Sequence, residues 1–306
     1  MSKQVLAIVV TYNPDLSVFA RALDELLKHD CDVLLVDNAS ANAGAIEQLC
    51  ISRAQVQFSG QKDNLGLGVA HNIGIRNATE NNYNYVLILD QDSIPMPGML
   101  ENLLQAHKIK SGSNKVSAVG VTYLNADNGS ESFFVQFGAL KFRRRYCGQR
   151  DADGCVATDF LISSGSLISI EALNDIGAMD EPLFIDHIDT EWFLRARSKG
   201  YKAYGVCEAR MQHGLGESTH RVSIGGRQRN VPQHKPFRYY YIFRNSILLY
   251  KRGYISALWK WNDFQRLAMI ALMFGVFKSP RIQNLQMMAR GLWHGVLGVT
   301  GQAKDD

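Results

Sequence analysis

The sequence lacks the cysteine and glycine patterns that mark several common metal and nucleotide sites. Its cysteines are odd in number and none of them forms a CxxC pair, which excludes a zinc site of known spacing. The segment 63–74 places two glycines before a predicted helix, but it lacks both the Walker lysine and a complete GxGxxG fingerprint. We expect all the cysteines to be reduced thiols of a cytosolic protein. They are Cys31, Cys50, Cys147, Cys155 and Cys207.

Long apolar runs and a strong net charge are absent as well. The longest apolar run, Leu267–Phe277, would cover about 17 Å as a helix at ~1.5 Å per residue, short of a hydrocarbon core of ~30 Å. We therefore expect no membrane-spanning helix. The short amino-terminal apolar run that leads into Pro14 is not expected to be a signal peptide. The formal charge of +4 is too small to indicate a nucleic-acid partner.

The first 115 residues contain an alternation of apolar runs and amphipathic segments. Runs rich in β-branched residues predict buried strands, and helical spacing of apolar residues predicts helices between them. We expect Asn13 to cap the first helix, with Pro14 in its first turn. This order predicts a parallel sheet, and ligands of such sheets bind beyond the carboxyl ends of the strands. The predicted strands are 4–10, 32–40, 56–60 and 85–90.

Polar residues follow these predicted strands, and a parallel sheet would bring them to one rim. Two aspartates, Asp90 and Asp92, end the fourth strand with one residue between them. Paired carboxylates in this position can bind Mg²⁺ or Mn²⁺ and leave places for substrate phosphates. The alternative is a turn in which the aspartates cap a helix. The polar residues of the rim are Thr11, Tyr12, Asn13, Asp37, Asn38, Asn64, Asp90, Gln91 and Asp92.

A second group of carboxylates precedes and begins a predicted helix over 188–200. Asp186, Asp189 and Glu191 lie close together in this short segment. Crowded carboxylates repel one another, which raises at least one pKa and suits a general base. The alternative is that these charges only favour the amino terminus of the helix.

Two further segments offer polar groups to a ligand. His213 follows a predicted strand, and its imidazole would suit Mn²⁺ better than Mg²⁺ if it is a metal ligand and not a structural residue. The glycine-rich and basic segment 217–230 suits either a mobile lid over phosphate or a solvated loop. Asn64, His71 and Asn72 are expected to line a cleft.

The rest of the chain divides into a strand-rich part and a helical part. Apolar segments between 116 and 214 predict strands of a mixed sheet, and after about residue 235 the pattern is almost purely helical. The helical part combines apolar stripes with basic residues and with Trp259, Trp261 and Trp293, a combination typical of a membrane interface. Alternatively, these stripes cover the preceding domain or a dimer partner.

In this order and spacing, the motifs resemble those of the family 2 glycosyltransferases over roughly residues 4–250. The resemblance implies an α/β fold of the GT-A type, Rossmann-like, with a mixed and mainly parallel sheet flanked by helices and a C-terminal helical extension. It implies a GT-A domain at 1–235, with a nucleotide-binding half at 1–115 and an acceptor-side half at 116–235, followed by a helical region at 236–306. The matching segments are VVTYNPD, VDNAS, NLGLGVAHNIGI, LDQDS, SSGSLIS, FIDHIDTEW and HGLGEST.

Within the family, four segments look most like the bacterial rhamnosyltransferases. The resemblance therefore implies an inverting, metal-dependent transfer of L-rhamnose from dTDP-L-rhamnose to a glycan or lipid-linked glycan in O-antigen, lipopolysaccharide core or rhamnan synthesis. We expect a cytoplasmic protein at the inner face of the plasma membrane. Another donor such as a UDP-hexose, or a catalytically inactive glycan-binding scaffold, stays open. A sugar nucleotidyltransferase is disfavoured, because no glycine-rich basic loop follows the first strand. The four segments are LDQDS, SSGSLIS, FIDHIDTEW and YYYIFRN.

The resemblance also implies roles for particular residues. Asp189 matches the catalytic base, but His187 and Ile188 replace the residues usual at their positions, so Asp186 competes for the role. Asp92 and His213 would bind Mg²⁺ or Mn²⁺ with support from Asp90, and Asp37 would contact the nucleotide base. The residues expected to bind the donor are Thr11, Tyr12, Asn13, Asp37, Asn64, Gly66, His71, Asp90, Gln91 and Arg221.

Overall fold

A computed structural model of the chain describes residues 4–125, 129–138, 142–213, 219–224, 227–232 and 234–303. The chain folds as two compact units. The first unit is Met1–His213 with Gly301–Asp306, and the second is Gly214–Thr300.

Four parallel strands form one half of the sheet in the first unit, as the sequence predicts. Their spatial order is β3-β2-β1-β4. Thr11 pairs with Asp37 and Val10 with Asp90, so three strand ends lie level with one another. The elements are β1 (Val5–Thr11), α1 (Leu16–Leu26), β2 (Asp32–Asp37), α2 (Ala43–Ile51), β3 (Val56–Gly60), α3 (Leu67–Glu80) and β4 (Tyr85–Asp90).

Helices cover both faces of this half of the sheet because the side chains of each strand alternate between the faces. Val9 on one face belongs to the same buried cluster as Phe19 and Leu23 of α1. Ile8 on the other face contacts α3 so closely that a Cβ added at Gly74 would lie 2.6 Å from it. Val10 lies two residues after Ile8 on β1 and pairs with Asp90 of β4, so Val10 and Asp90 share this second face with Ile8.

The predicted cap of α1 is wrong by two residues. Asp15 is the cap, and its carboxylate accepts hydrogen bonds from the backbone N–H groups of Ser17 and Val18 at 2.9 and 3.2 Å. Asn13 has a left-handed backbone with φ of 48° and lies in the turn before the helix. The misassignment arose because Asn and Asp are both good caps and only the turn geometry separates them.

The second half of the sheet is mixed, which confirms the prediction. Strand β10 is antiparallel to both β4 and β6, and β11 runs parallel to β6 but antiparallel to β5 and β9. Strands β7 and β8 form a separate hairpin. The elements are β5 (Ser93–Pro95), α4 (Met99–Ser111), β6 (Val116–Asn125), β7 (Phe134–Phe137), β8 (Phe142–Arg145), β9 (Cys155–Thr158), β10 (Ser166–Ser169), α5 (Ile170–Ile176), α6 (Ile188–Ser198) and β11 (Lys202–His213).

The expectation that all five cysteines are reduced thiols is wrong for two of them. Cys147, in a short 3₁₀ turn after β8, forms a disulfide with Cys207 of β11, and their Cα atoms lie 5.6 Å apart. Because 60 residues separate them in the sequence, no local spacing indicated the pair. The other three are buried thiols, and burial raises the pKa of Cys31 to about 12 and those of Cys50 and Cys155 to about 11.

The second unit contains a hairpin and three helices. Where the sequence predicted a lid or a loop, β12 pairs antiparallel with β13. Glycines allow α9 to approach α7 closely, since a Cβ at Gly291 would lie 2.4 Å from the carbonyl oxygen of Tyr240. Within the described part of the chain, no helix is long and apolar enough to cross a membrane. The elements are β12 (Thr219–Ile224), β13 (Arg227–Pro232), α7 (Pro236–Tyr250), α8 (Ala257–Leu272), a π-helical turn (Met273–Phe277) and α9 (Arg281–Leu297).

Candidate active site

The buried carboxylate of Asp37 organises the loops that follow β1 and β2. One oxygen accepts hydrogen bonds from the hydroxyls of Thr11 at 2.8 Å and Ser40 at 2.5 Å, and the other accepts from the Ser40 backbone N–H at 2.9 Å. Asp37 and Thr11 are completely inaccessible to solvent. The structure therefore gives Asp37 a role in shaping the rim, and its contact with a nucleotide base stays a prediction.

Gln91 connects the loop after β1 to the loop after β4. Its side-chain oxygen accepts the backbone N–H of Tyr12 at 2.8 Å, and its amide nitrogen lies 3.5 Å from the Tyr12 carbonyl oxygen. Asn13 is fixed in turn, because its N–H donates to the Ser40 hydroxyl and its side-chain oxygen accepts from the Ala41 N–H, both at 2.8 Å. The ring of Tyr12 is half exposed at this rim. The ring is therefore accessible to a ligand at this rim.

Asn64 shapes the turn that leads into α3. Its side-chain oxygen accepts hydrogen bonds from Asn38 at 2.9 Å and from the Gly66 N–H at 3.0 Å. His71 follows on α3 and is fully buried, and neither ring nitrogen has a hydrogen-bond partner among the described residues. Burial lowers the pKa of His71 to about 4, so its ring is neutral near pH 7.

Gly66 connects the start of α3 to the acidic segment that precedes α6. Its φ is +86°, and an added Cβ would lie 2.6 Å from the ring of Phe184 and 2.7 Å from the Phe184 carbonyl oxygen, so only glycine fits. The same carbonyl accepts the N–H of Leu67 at 2.7 Å. Phe184, Asp186 and His187 all have positive φ, an unfavourable backbone for such residues that clusters at functional sites.

The loop 163–165 brings the end of β4 together with the start of α6. The Asp90 N–H donates to the Ser164 hydroxyl at 2.9 Å. The Ser163 backbone N–H lies near the carboxylate of Asp189 and slightly lowers its pKa. Tyr123 donates a hydrogen bond to the Ser164 carbonyl oxygen. Burial is the main cause that raises the pKa of the Tyr123 phenol, and the negative charges of Asp90 and Asp189 raise it further. The loop 163–165 thus contacts the backbone of Asp90 at the end of β4 and lies near Asp189 at the start of α6.

The pKa of Asp189 is shifted by its surroundings. Burial raises its pKa above the ordinary value of 3.8, and the negative charge of Asp186 raises it further, while hydrogen bonds from Thr190 and Ser163 oppose the shift. Glu191 does not belong to this group, because its fully buried carboxylate forms a bidentate pair with Arg195 at 2.9 Å for both contacts. Of the three carboxylates predicted to crowd together, only Asp186 and Asp189 interact through their charges.

The backbone brings the proposed metal ligands close together. Strand β5 pairs with β11 so that His213 lies opposite Ser93, the residue after Asp92. The side chains of His213 and Arg221 lie outside the described part of the structure, so their contacts stay predictions. Within the described side chains, no group of three histidines, cysteines or carboxylates could hold an ion. Carboxylates with an imidazole nevertheless form a donor set that suits Mn²⁺, and carboxylates alone suit Mg²⁺.

Sequence reasoning assigned no role to three residues that connect the site, Tyr123, Ser163 and Ser164, although Ser163 and Ser164 belong to the matching segment SSGSLIS. The available signal was the SSG triplet before β10, where Gly165 has a φ of +72° and marks a tight turn. Polar residues before such a turn can direct backbone N–H and hydroxyl groups at a neighbouring strand end. The Tyr123 contact had no comparable local signal, since 41 residues separate it from Ser164.

Comparisons with known proteins identify the family and its relatives. The family model described as glycosyl transferase family 2 matches residues 6–177. Over 98% of both chains, the protein is 26% identical to the dTDP-rhamnosyl transferase RfbF of Shigella flexneri.

Solved structures share the fold at low sequence identity. S. aureus TarS is 14% identical with a TM-score of 0.60, and the match covers 97% of this chain and 49% of that one. GalNAc-T7 with UDP, GalNAc and Mn²⁺ is 13% identical with a TM-score of 0.58, and the match covers 87% of this chain and 55% of that one. With its mixed, mainly parallel sheet flanked by helices, the chain has the GT-A fold and belongs to glycosyl transferase family 2.

Proposed function

We propose that this glycosyltransferase moves L-rhamnose, with inversion, from dTDP-L-rhamnose to a hydroxyl of a cell-surface polysaccharide precursor: an O-antigen, a lipopolysaccharide core or a rhamnan. The similarity to a dTDP-rhamnosyl transferase over nearly the whole chain supports the donor. The observation that carries the proposal is the loop 163–165, which contacts both Asp90 and Asp189. This contact supports a catalytic position for Asp189, whose pKa is raised, near the strand end where the donor is expected to bind.

Asp189 acts as the general base in this proposal. It takes the proton of the acceptor hydroxyl while that oxygen forms a bond to the anomeric carbon of the donor. The bond between the anomeric carbon and the phosphate oxygen breaks on the opposite side, and dTDP leaves with the bonding electrons. Asp186 raises the pKa of Asp189 and is the alternative base.

The residues at the strand ends would hold the donor and a divalent cation. Asp92 and His213, with support from Asp90, form the proposed site for Mg²⁺ or Mn²⁺. When bound, the cation supplies positive charge that stabilises the leaving diphosphate. The structure of GalNAc-T7, which contains Mn²⁺ together with UDP, supports a divalent ion in this fold. Of the residues expected to bind the donor, Tyr12, Asn13, Asn64 and Gln91 are accessible at the rim and would contact it. Thr11, Asp37, Gly66 and His71 are buried and would support these contacts from beneath.

A panel of sugar nucleotides tests the donor. The full chain should show its largest rise in Tm with dTDP-L-rhamnose in the presence of Mn²⁺, because a ligand that binds only the folded state stabilises it. The same sample should slowly release dTDP by hydrolysis. A rise in Tm and nucleotide release with a UDP-hexose alone would replace rhamnose by that sugar. No release from any donor would favour the inactive scaffold.

We further propose that the second unit attaches the enzyme to the inner face of the plasma membrane. Residues 214–300 contain 13 lysines and arginines but only two acidic residues, Glu217 and Asp263, whereas the rest of the chain has 20 basic and 27 acidic residues. Exposed tryptophans in the same unit, Trp261 at 56% and Trp293 at 62%, suit the depth of lipid headgroups. Basic helices with such rings bind anionic lipid surfaces.

Flotation with liposomes tests this attachment. The full chain should float with vesicles rich in phosphatidylglycerol and stay at the bottom with pure phosphatidylcholine, because each basic residue near an anionic surface contributes about 1 kcal/mol. The double substitution Trp261→Ser and Trp293→Ser should reduce flotation several-fold. Ile51→Ser, at an apolar residue of the first unit that is 69% exposed, is the matched control.

Two outcomes would contradict membrane attachment. In one, the full chain stays at the bottom of the gradient with both kinds of vesicle. In the other, the protein forms a homodimer that the tryptophan substitutions dissociate, which would assign the exposed rings to a partner subunit.

A further inference from the structure

An apolar cavity of about 280 Å³ adjoins the loop that binds Asp189. Residues 160–162 line it and run directly into Ser163, whose backbone N–H lies near the Asp189 carboxylate. Tyr123, on the opposite strand, lines the same cavity and donates its hydroxyl to Ser164. The cavity is therefore next to the group that takes the acceptor proton. Its principal side chains are Tyr123, Phe133, Phe134, Phe160, Leu161 and Ile162.

The lining of the cavity suits the apolar face of a sugar ring. Pockets for small molecules are mostly apolar and aromatic with a few polar groups that fix orientation. Phe133 is 39% exposed and Phe160 is partly exposed, so both rings are accessible from outside the core. A volume of this size accommodates about one monosaccharide unit.

Three successive arginines lie beside the cavity on β8. In the β7–β8 hairpin, Arg144 pairs with Val135 and Arg145 pairs with Phe134, and both partners line the cavity. The guanidinium of Arg144 lies 4.3 Å from the centroid of the Phe133 ring. Among the described residues, no carboxylate forms an ion pair with Arg143, Arg144 or Arg145.

Within the described residues, one of these guanidiniums also has a donor without a partner. The Nε of Arg145 is buried and lacks a hydrogen-bond partner in the described part of the chain. Burying such a donor unpaired is unfavourable, so a ligand that accepts from it would recover the lost interaction. Guanidinium groups bind phosphate through two parallel hydrogen bonds. Arg143 and Arg145 are two residues apart on β8 and therefore share one face of the strand, where two guanidiniums fit a doubly charged anion better than a neutral sugar.

We propose that this cavity and the Arg143–Arg145 strand form the acceptor subsite, and that the acceptor is a phosphate-bearing glycan. The apolar face of the acceptor sugar packs on Phe133 and Phe160, and its phosphate binds the arginines. This inference rests on the proposed function, because it takes Asp189 as the base that the acceptor hydroxyl must reach.

The test is binding of two matched probes, N-acetylglucosamine 1-phosphate and methyl N-acetylglucosaminide, to the full chain with dTDP and Mn²⁺. Saturation-transfer difference NMR should show transfer to the ring C–H protons of both probes. The phosphorylated probe should bind about tenfold more tightly, the effect expected of one charge-assisted hydrogen bond. Equal affinities, or no binding by either probe, would overturn the proposal.

Variants separate the two parts of the subsite. The double variant Arg143→Gln and Arg145→Gln should abolish the preference for the phosphorylated probe, and Phe133→Ala should weaken both probes equally. Arg21→Gln, at an exposed arginine of α1, is the control and should change neither. A preference that survives in the double variant would contradict the phosphate site.

The affinity for dTDP distinguishes this proposal from the proposed function. It should be the same in every variant, since none of the substituted residues lies at the strand ends of the donor site. If the probes bind as expected but no sugar nucleotide is turned over, the proposed function fails while the subsite stands. If the donor is turned over and the probes do not bind, only the subsite fails.

Discussion

Replacing Asp189 with asparagine should lower kcat about 10²–10⁴-fold and leave the affinity for dTDP unchanged. The asparagine keeps the size of the side chain and an oxygen that can accept the N–H groups of Ser163 and Thr190. It cannot take a proton from the acceptor. Initial rates with a saturating donor, together with calorimetric titration of dTDP, separate these two effects.

Asp186→Asn is the matched control, since it removes a neighbouring carboxylate from the same segment. We expect it to keep most of the activity, because Asp189, and not Asp186, lies beside the loop that contacts the strand end of Asp90. If Asp186→Asn abolishes turnover and Asp189→Asn does not, the two roles are reversed. The Tm of Asp189→Asn at pH 7 should be no lower than that of the wild type, because burial disfavours the charged carboxylate that it removes.

The pH dependence of kcat/KM offers a second measurement of the same base. Asp189 works only when it is deprotonated, so its raised pKa places the acidic limb of the profile above the ordinary value of 3.8. Asp186→Asn removes a negative charge that contributes to this shift, and the limb should therefore move to lower pH. It should stay above 3.8, since burial is the larger cause. An unchanged limb would show that another group controls the profile.

The strand ends could be predicted from the sequence because their signals are local. Each apolar run gives way to polar residues, and parallel pairing then brings Thr11, Asp37 and Asp90 level with one another. Gln91 was predicted at the rim for this reason, although its actual partner, the Tyr12 backbone, is 79 residues away. Position on a strand follows from the pattern, whereas the hydrogen-bond partner does not.

The connections across the sheet could not be predicted because they join distant parts of the chain. Ser164 contacts Asp90 across 74 residues, and the Cys147–Cys207 disulfide spans 60. Glu191 lay in a cluster of carboxylates by sequence, but helical spacing gives it a bidentate partner in Arg195 four residues later. Carboxylates that are close in the sequence are therefore not all close in space. Only Asp186 and Asp189 interact through their charges.

Substituting Asp92 with asparagine should lower the Mn²⁺-dependent affinity for dTDP by about 10²-fold. A bound cation contributes several kcal/mol of charge stabilisation to phosphate groups, and each 1.4 kcal/mol corresponds to a tenfold change. The neutral amide is a weaker ligand for hard cations than the carboxylate. The loop itself should keep its shape, because the hydrogen bonds between Gln91 and Tyr12 hold it and do not involve Asp92.

Calorimetric titration of dTDP with and without Mn²⁺ measures this effect directly. In the wild type, Mn²⁺ should strengthen dTDP binding, whereas in Asp92→Asn the two titrations should nearly coincide, with the metal-free affinity unchanged. Asp30→Asn removes an exposed carboxylate elsewhere in the first unit and should behave as the wild type. If Asp92→Asn retains the full gain from Mn²⁺, the paired aspartates only shape the turn after β4. Such a result would contradict the proposal that Asp90 and Asp92 bind the cation. The proposal that Asp189 is the base would be unaffected.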